Sequence, residues 1–142
     1  MGMVFVIDEG SVFEAPLEKI WRLNISPIEH LHQSMKNLKI EPTADPLAFL
    51  ASWDSEWRGS TSNMKAKFTF FPPLGFTADF VEGPFAGSKE FEYYIPMGDK
   101  TGITCVGEFI ATGFSDDELK AAVSDFEAKA FEEDQENLAR MK

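Results

Sequence analysis

Two hydrophobic periods divide the chain. Val4 to Phe13 is β-branched and aromatic, and it stops at Glu14-Ala15-Pro16, where proline ends a strand and opens a helix. From Pro16 to Asn24 the apolar Leu17, Ile20, Trp21 and Leu23 recur at helical spacing. Ser26-Pro27 reads as a fresh N-cap, so a second short helix carrying Ile28, Leu31 and Met35 is expected to end near Asn37. Beyond it the helical period gives way to strand-like runs at Leu38 to Glu41, Phe49 to Arg58, Thr61 to Phe71, Phe76 to Val81, Gly87 to Ile95 and Thr101 to Thr112. Their separators are turn residues, and links so short exclude parallel crossovers, which leaves an antiparallel meander. The last segment opens with "SDDEL", a capping box of Ser115 with Glu118, and predicts a helix to about Met141. Such a helix is roughly 40 Å long, enough to cross a whole sheet.

Alternation assigns the faces. Trp53, Ser55 and Trp57 share one side of their strand; Met64, Ala66, Phe68 and Phe70 share one on the next; Phe76, Ala78 and Phe80 follow. Phe91, Tyr93 and Ile95, then Ile103, Cys105, Gly107, Phe109 and Ala111, complete an inward set. Lys65, Lys67, Asp79, Glu90, Glu92 and Glu108 fall outward. Counting back from Phe13 turns Ile7, Glu9 and Ser11 inward as well. The inward stripe of the last helix is Leu119, Ala122, Val123, Phe126 and Ala130, after which Glu133, Asp134 and Asn137 take over the same sector. The last turns are therefore expected to project past the sheet; the alternative is that they border an opening.

The order of strand, helix pair, six-strand meander and long terminal helix, with "VFEAPLEKIWRL" at the first corner, resembles the START/Bet v 1-like (SRPBCC) superfamily of helix-grip proteins. "VEGPFAGSKEFEY" is similar to a motif of its polyketide cyclase and coenzyme Q-binding-like branch, with Phe91 where that branch shows tryptophan. The resemblance spans residues 1–142 and implies one α+β domain, a curved antiparallel sheet of six to seven strands wrapped around the terminal helix. It also implies a hydrophobic chamber between them. "GPFAG" then reads as a hairpin connection anchored by Phe85, with a gate over the chamber mouth as the lesser alternative.

Composition narrows the partners. With 24 acidic and 13 basic side chains the net charge is -11, which repels nucleic acid and anionic membranes. No apolar run is long enough for a membrane span, and "MGMVFVIDEG" lacks the regions of a signal peptide. The single Cys105 excludes an internal disulfide and suits a reducing compartment, so a cytoplasmic location is expected. Fourteen phenylalanines and three tryptophans make the interior largely aromatic, as a packed core or a lined cavity.

Polar groups in the inward set, Glu9, Ser11, Ser55 and Tyr93, either find partners within the core or contact a ligand or water, the latter being what a small-molecule site looks like. The expected lining is Glu9, Ser11, Trp53, Ser55, Trp57, Phe68, Phe70, Phe80, Phe91, Tyr93, Cys105, Phe109 and Phe126. An inward Glu9 needs a cation such as Arg58 or Arg22, or holds its proton. His30 and His32 stand about 200 degrees apart on a helix, at the surface or the chamber mouth, and cannot share a metal there; no metal or cofactor is expected. The leading expectation is binding or transport of a small hydrophobic molecule, such as a lipid, isoprenoid quinone or polyketide. No catalytic residue is assigned. The alternatives are a cyclase, aromatase or dehydratase moving a proton with Glu9 or Tyr93, and an interaction module docking through the acidic last helix. The sequence leaves the oligomeric state open, with a homodimer among the alternatives, and nothing in the composition distinguishes a lipid from a quinone.

Overall fold

Strand-forming runs broken by short turns can only fold back on their neighbours, and the sheet follows that rule. The computed structural model describes residues 2–26, 30, 32–57 and 59–141, with the backbone alone for 2–4 and 6–9. The elements are β1 (Gly2–Phe13), α1 (Leu17–Asn24), β2 (Lys36–Pro42), β3 (Ala48–Trp57), β4 (Ser60–Phe71), β5 (Gly75–Glu82), β6 (Lys89–Met97), β7 (Lys100–Ala111) and α2 (Asp116–Arg140). All strand pairs are antiparallel in the order β1-β7-β6-β5-β4-β3-β2, a meander with the first strand added beside the last. The expected second helix falls partly on residues 27–29 and 31, which lie outside the described residues. His30 and residues 32–35 are not helical, and β2 begins at Lys36.

Two apolar clusters close the fold. One gathers Trp53, Met64, Phe80, Phe85, Phe109, Leu119 and Val123; the other gathers Phe13, Ile20, Leu23, Tyr94, Ile103, Leu138 and Met141. The helix α2 contributes Leu119 and Val123 near its start to the first, and Leu138 near its end to the second. Its start is fixed by the capping box, in which the Glu118 amide donates to Ser115 Oγ at 3.1 Å and the Ser115 amide donates to Glu118 Oε1 at 3.2 Å. The last turns therefore do not project past the sheet. Asn137 and Leu138 are buried, and Phe131 stacks on Phe13 with centroids 4.7 Å apart.

The phenylalanine of "GPFAG" is a core plug. Phe85 is buried against Trp57, with centroids 4.7 Å apart, and against Phe80, Phe109 and Phe114. Gly83 makes this connection possible: its φ is +100°, and a Cβ there would meet the Asn63 carbonyl oxygen at 2.6 Å.

Two face assignments change. On β6 the inward side carries Glu90, Glu92 and Tyr94, not Phe91, Tyr93 and Ile95. Tyr94 is 4% exposed and Glu90 7%, whereas Tyr93 is 40% exposed. The two-residue turn Gly98-Asp99 sets this parity, because it pairs Met97 with Lys100 and hence Tyr94 with Ile103, Glu92 with Cys105 and Glu90 with Gly107. Directly opposed residues share a face, so the inward side of β7 dictates that of β6. On β1 a bulge at Gly10, φ +96°, shifts the register between Glu9 and Ser11 and places the Glu9 backbone opposite Thr104. The count from Phe13 thus holds only as far as Ser11, and the Glu9 side chain lies outside the described residues.

Replacing the plug tests the packing. Phe85→Ala is expected to lower the free energy of unfolding by about 3–5 kcal/mol, measured by chemical denaturation followed through tryptophan fluorescence.

Candidate functional site

Among the described residues the backbone of α2 approaches only β1 and β7 of the sheet, while Phe126 and Glu127 reach across toward β3 and β6 with their side chains. Between its two buried ends, the middle of the helix stands away from β2 to β6, and the space left is a cavity of about 550 Å³. Phe126, Glu127, Ala130 and Asp134 form its helical wall. Opposite them stand Phe49 and Trp53 from β3, Phe68 and Phe70 from β4, and Phe76, Ala78 and Phe80 from β5. Phe49 and Phe68 stack with centroids 5.3 Å apart. At the mouth, Leu38 and Ile40 of β2 and Leu47 of the following loop are part exposed, an apolar rim on an open chamber.

Of the residues expected from sequence, the fold brings Trp53, Phe68, Phe70, Phe80 and Phe126 to this wall. Ser55, Trp57, Cys105 and Phe109 are interior but not on the wall; Ser55 Oγ accepts the Trp53 indole N–H at 2.9 Å. Ser11 is half-buried on β1, away from the cavity. Phe91 and Tyr93 lie on the outer face of β6, and with Tyr93 there its proposed proton transfer inside the chamber is ruled out.

Sequence alternation missed the polar groups that do face the cavity. Glu90 and Glu92 enter from β6 and Glu127 from α2. Their oxygens and Cys105 Sγ lie within 4.8 Å of one another, and the Cys105 thiol donates to Glu90 Oε1 at 2.7 Å. Burial, and then the charges of Glu127 and Glu92, push the Glu90 carboxyl well above the usual carboxylate range. Burial and the same carboxylates push the Cys105 thiol up too, so it is a hydrogen-bond donor and not a nucleophile. A neutral carboxyl beside aromatic walls can donate a hydrogen bond, or a proton, to an oxygen of a bound molecule.

A second polar group sits nearer the mouth. His30 Nε2 lies 2.9 Å from Asp134 Oδ1, and His32 Nε2 lies 3.2 Å from the same oxygen. His32 Nδ1 contacts Glu133 Oε1 at 3.2 Å, while the Ser34 amide and hydroxyl donate to Glu133 at 3.1 and 2.8 Å. Without a helix at this point, the angular separation that kept the two histidines apart does not apply. Burial works against charge on His32, but its bond to Asp134 and that carboxylate's charge, with Glu133 behind, outweigh it and raise its pKa. Burial likewise opposes charge on Asp134, yet the bonds from His30 and His32 bring it down to about 2.

Glu90 generates a pH-dependent prediction. A folded-state pKa raised above 4.5 means its contribution to stability is full below that value and is lost as pH rises toward the folded-state pKa. Glu90→Gln removes the loss, so the stability of the variant relative to the parent should grow between pH 4.5 and 8, by on the order of 1–3 kcal/mol in urea unfolding.

No family model matches the chain, and no curated protein sequence does, so the likeness to known proteins is structural. The chain superposes on the Zhui aromatase/cyclase of Streptomyces sp. R1128 with a TM-score of 0.73 at 10% identity, over 96% of this chain and 91% of that one. Ara h 8.0201 gives 0.76 at 14% identity, over 99% and 100%. A START superfamily protein of Mycobacterium smegmatis gives 0.76 at 12% identity, over 99% of both chains. At such identities the shared property is architecture: this chain has the helix-grip fold of the START/Bet v 1-like superfamily.

Proposed function

We propose that the protein binds a small, largely apolar molecule in the cavity between α2 and the sheet. The observation that carries this reading is the cavity itself. Its volume of about 550 Å³ falls within the roughly 300–1,000 Å³ of small-molecule sites, and its walls are mostly apolar, with seven phenylalanine and tryptophan rings and a few convergent polar groups. The apolar rim of Leu38, Ile40 and Leu47 suits a guest that leaves water on the way in. The guest contemplated is an aromatic or isoprenoid-like body with at least one oxygen that can accept from Glu90.

The Glu90–Glu127 pair favours a second reading, acid-base catalysis of the cyclase or aromatase type, because a carboxyl that keeps its proton next to aromatic walls is a general acid in waiting. Glu90 takes the place that Tyr93 cannot fill.

Extraction of freshly purified protein with organic solvent, followed by mass spectrometry, identifies a native guest. A neutral fluorescent probe, 1-anilinonaphthalene, tests the cavity directly. Ala130→Trp, which fills space beside Phe126, should weaken probe binding at least about tenfold. Phe91→Ala, on the outer face, should leave it unchanged. Equal affinity in parent and Ala130→Trp would place the probe elsewhere and remove the reading.

A further inference from the structure

His30 and His32 meet α2 in an arrangement that a hydrogen-bond network alone accommodates poorly. His30 Nε2, His32 Nε2 and Asp134 Oδ1 form a triangle with sides of 2.9, 2.9 and 3.2 Å. If both imidazoles carry a proton on Nε2, two N–H groups face each other across 2.9 Å. If only one does, the other nitrogen turns a lone pair toward the carboxylate oxygen. Each assignment of protons leaves one side of the triangle repulsive, and a cation shared by all three removes the conflict.

We propose that His30, His32 and Asp134 form a binding site for a divalent transition-metal cation of the zinc type at the mouth of the cavity. The distances fit. An ion about 1 Å out of the plane of the three donors stands about 2.0 Å from each, the length of a zinc–imidazole bond. The donor–metal–donor angles are then about 93–106°, which leaves one or more positions on the far side. All three residues line the cavity, so those positions are available to water or to an oxygen of a guest.

The surroundings supply the supporting shell such a site needs. His32 Nδ1 rests against Glu133 Oε1 at 3.2 Å; a proton held there turns the Nε2 lone pair toward Asp134 and His30. Glu133 is in turn held by the amide and hydroxyl of Ser34, which ties the histidine-bearing segment to the helix that carries Asp134. The deeper group of Glu90, Glu92, Glu127 and Cys105 is a poorer host, since a metal there must displace a buried thiol proton and a carboxyl proton in a buried position.

The site itself does not rest on the cavity-binding reading, and its test uses no organic guest. Zn²⁺ alone, titrated calorimetrically into the full chain after removal of metal by dialysis against a chelator, is expected to bind one ion per chain. Glu133→Gln should weaken that binding about 10–100-fold, and His30→Gln and Asp134→Asn at least as much. Glu90→Gln should leave it unchanged. Co²⁺ in place of Zn²⁺ should give visible ligand-field bands without the near-ultraviolet band of a thiolate ligand. The proposal is overturned if the parent chain takes up no zinc, if folded His30→Gln binds it as the parent does, or if the cobalt spectrum shows thiolate charge transfer, which would place the ion at Cys105. Should His30→Gln fail to fold by circular dichroism, the cobalt spectrum of the parent decides alone.

Discussion

The structure depends on a helix buried at its two ends and seated between them along one side of the sheet only. Leu119 and Val123 anchor the start of α2 in one apolar cluster, and Leu138 anchors its end in the other. Burial of such side chains contributes about 1.5–3 kcal/mol each, ample to hold a rigid rod across a concave sheet. Between those anchors the backbone of α2 lies against β1 and β7 alone among the described strands, with Phe131 stacked on Phe13, so its side toward β2 to β6 faces open space. The cavity is what that one-sided seat leaves, and its location follows from where the helix is held.

The same geometry explains the polar groups found there. A carboxylate cannot be buried in a dry core without a partner, and the sequence spends Glu90, Glu92, Glu127 and Asp134 along this unpacked stretch. Glu90 accepts from the Cys105 thiol, with burial raising its pKa, and Asp134 stands against two imidazoles. Polar groups thereby gather at two depths of one chamber, the Glu90–Glu127–Cys105 group inside and a histidine-carboxylate group toward the rim.

Much of the architecture was legible in the chain. The strand runs, the capping box and the inward stripe of α2 are local patterns with local causes, and they give the helix-grip fold. The faces of β3, β4, β5 and β7 follow alternation because one side of each is apolar. β6 misleads because its apolar residues, Phe91, Tyr93 and Ile95, are those that face outward. The correction was available in the sequence: a two-residue turn between β6 and β7 forces odd positions on one to face even positions on the other, so the two inward sets assumed were incompatible. Nothing local announced the Gly10 bulge or the convergence of His30 and His32 on Asp134, 102 residues beyond His32. That convergence is a product of tertiary packing, visible only once the helix is laid across the sheet.

The chamber's rim is also the sheet's least supported edge. β2 is exposed along its whole length, pairs among the described residues with β3 alone, and loses register between Lys36 and Lys39. Leu38 and Ile40, which frame the doorway, therefore hang on the strand that costs least to peel away. Displacing β2 spares the pairings from β3 to β1, so the shape of the rim and the integrity of the scaffold are mechanically separate, and the rim is free to drift without unsettling the walls behind it.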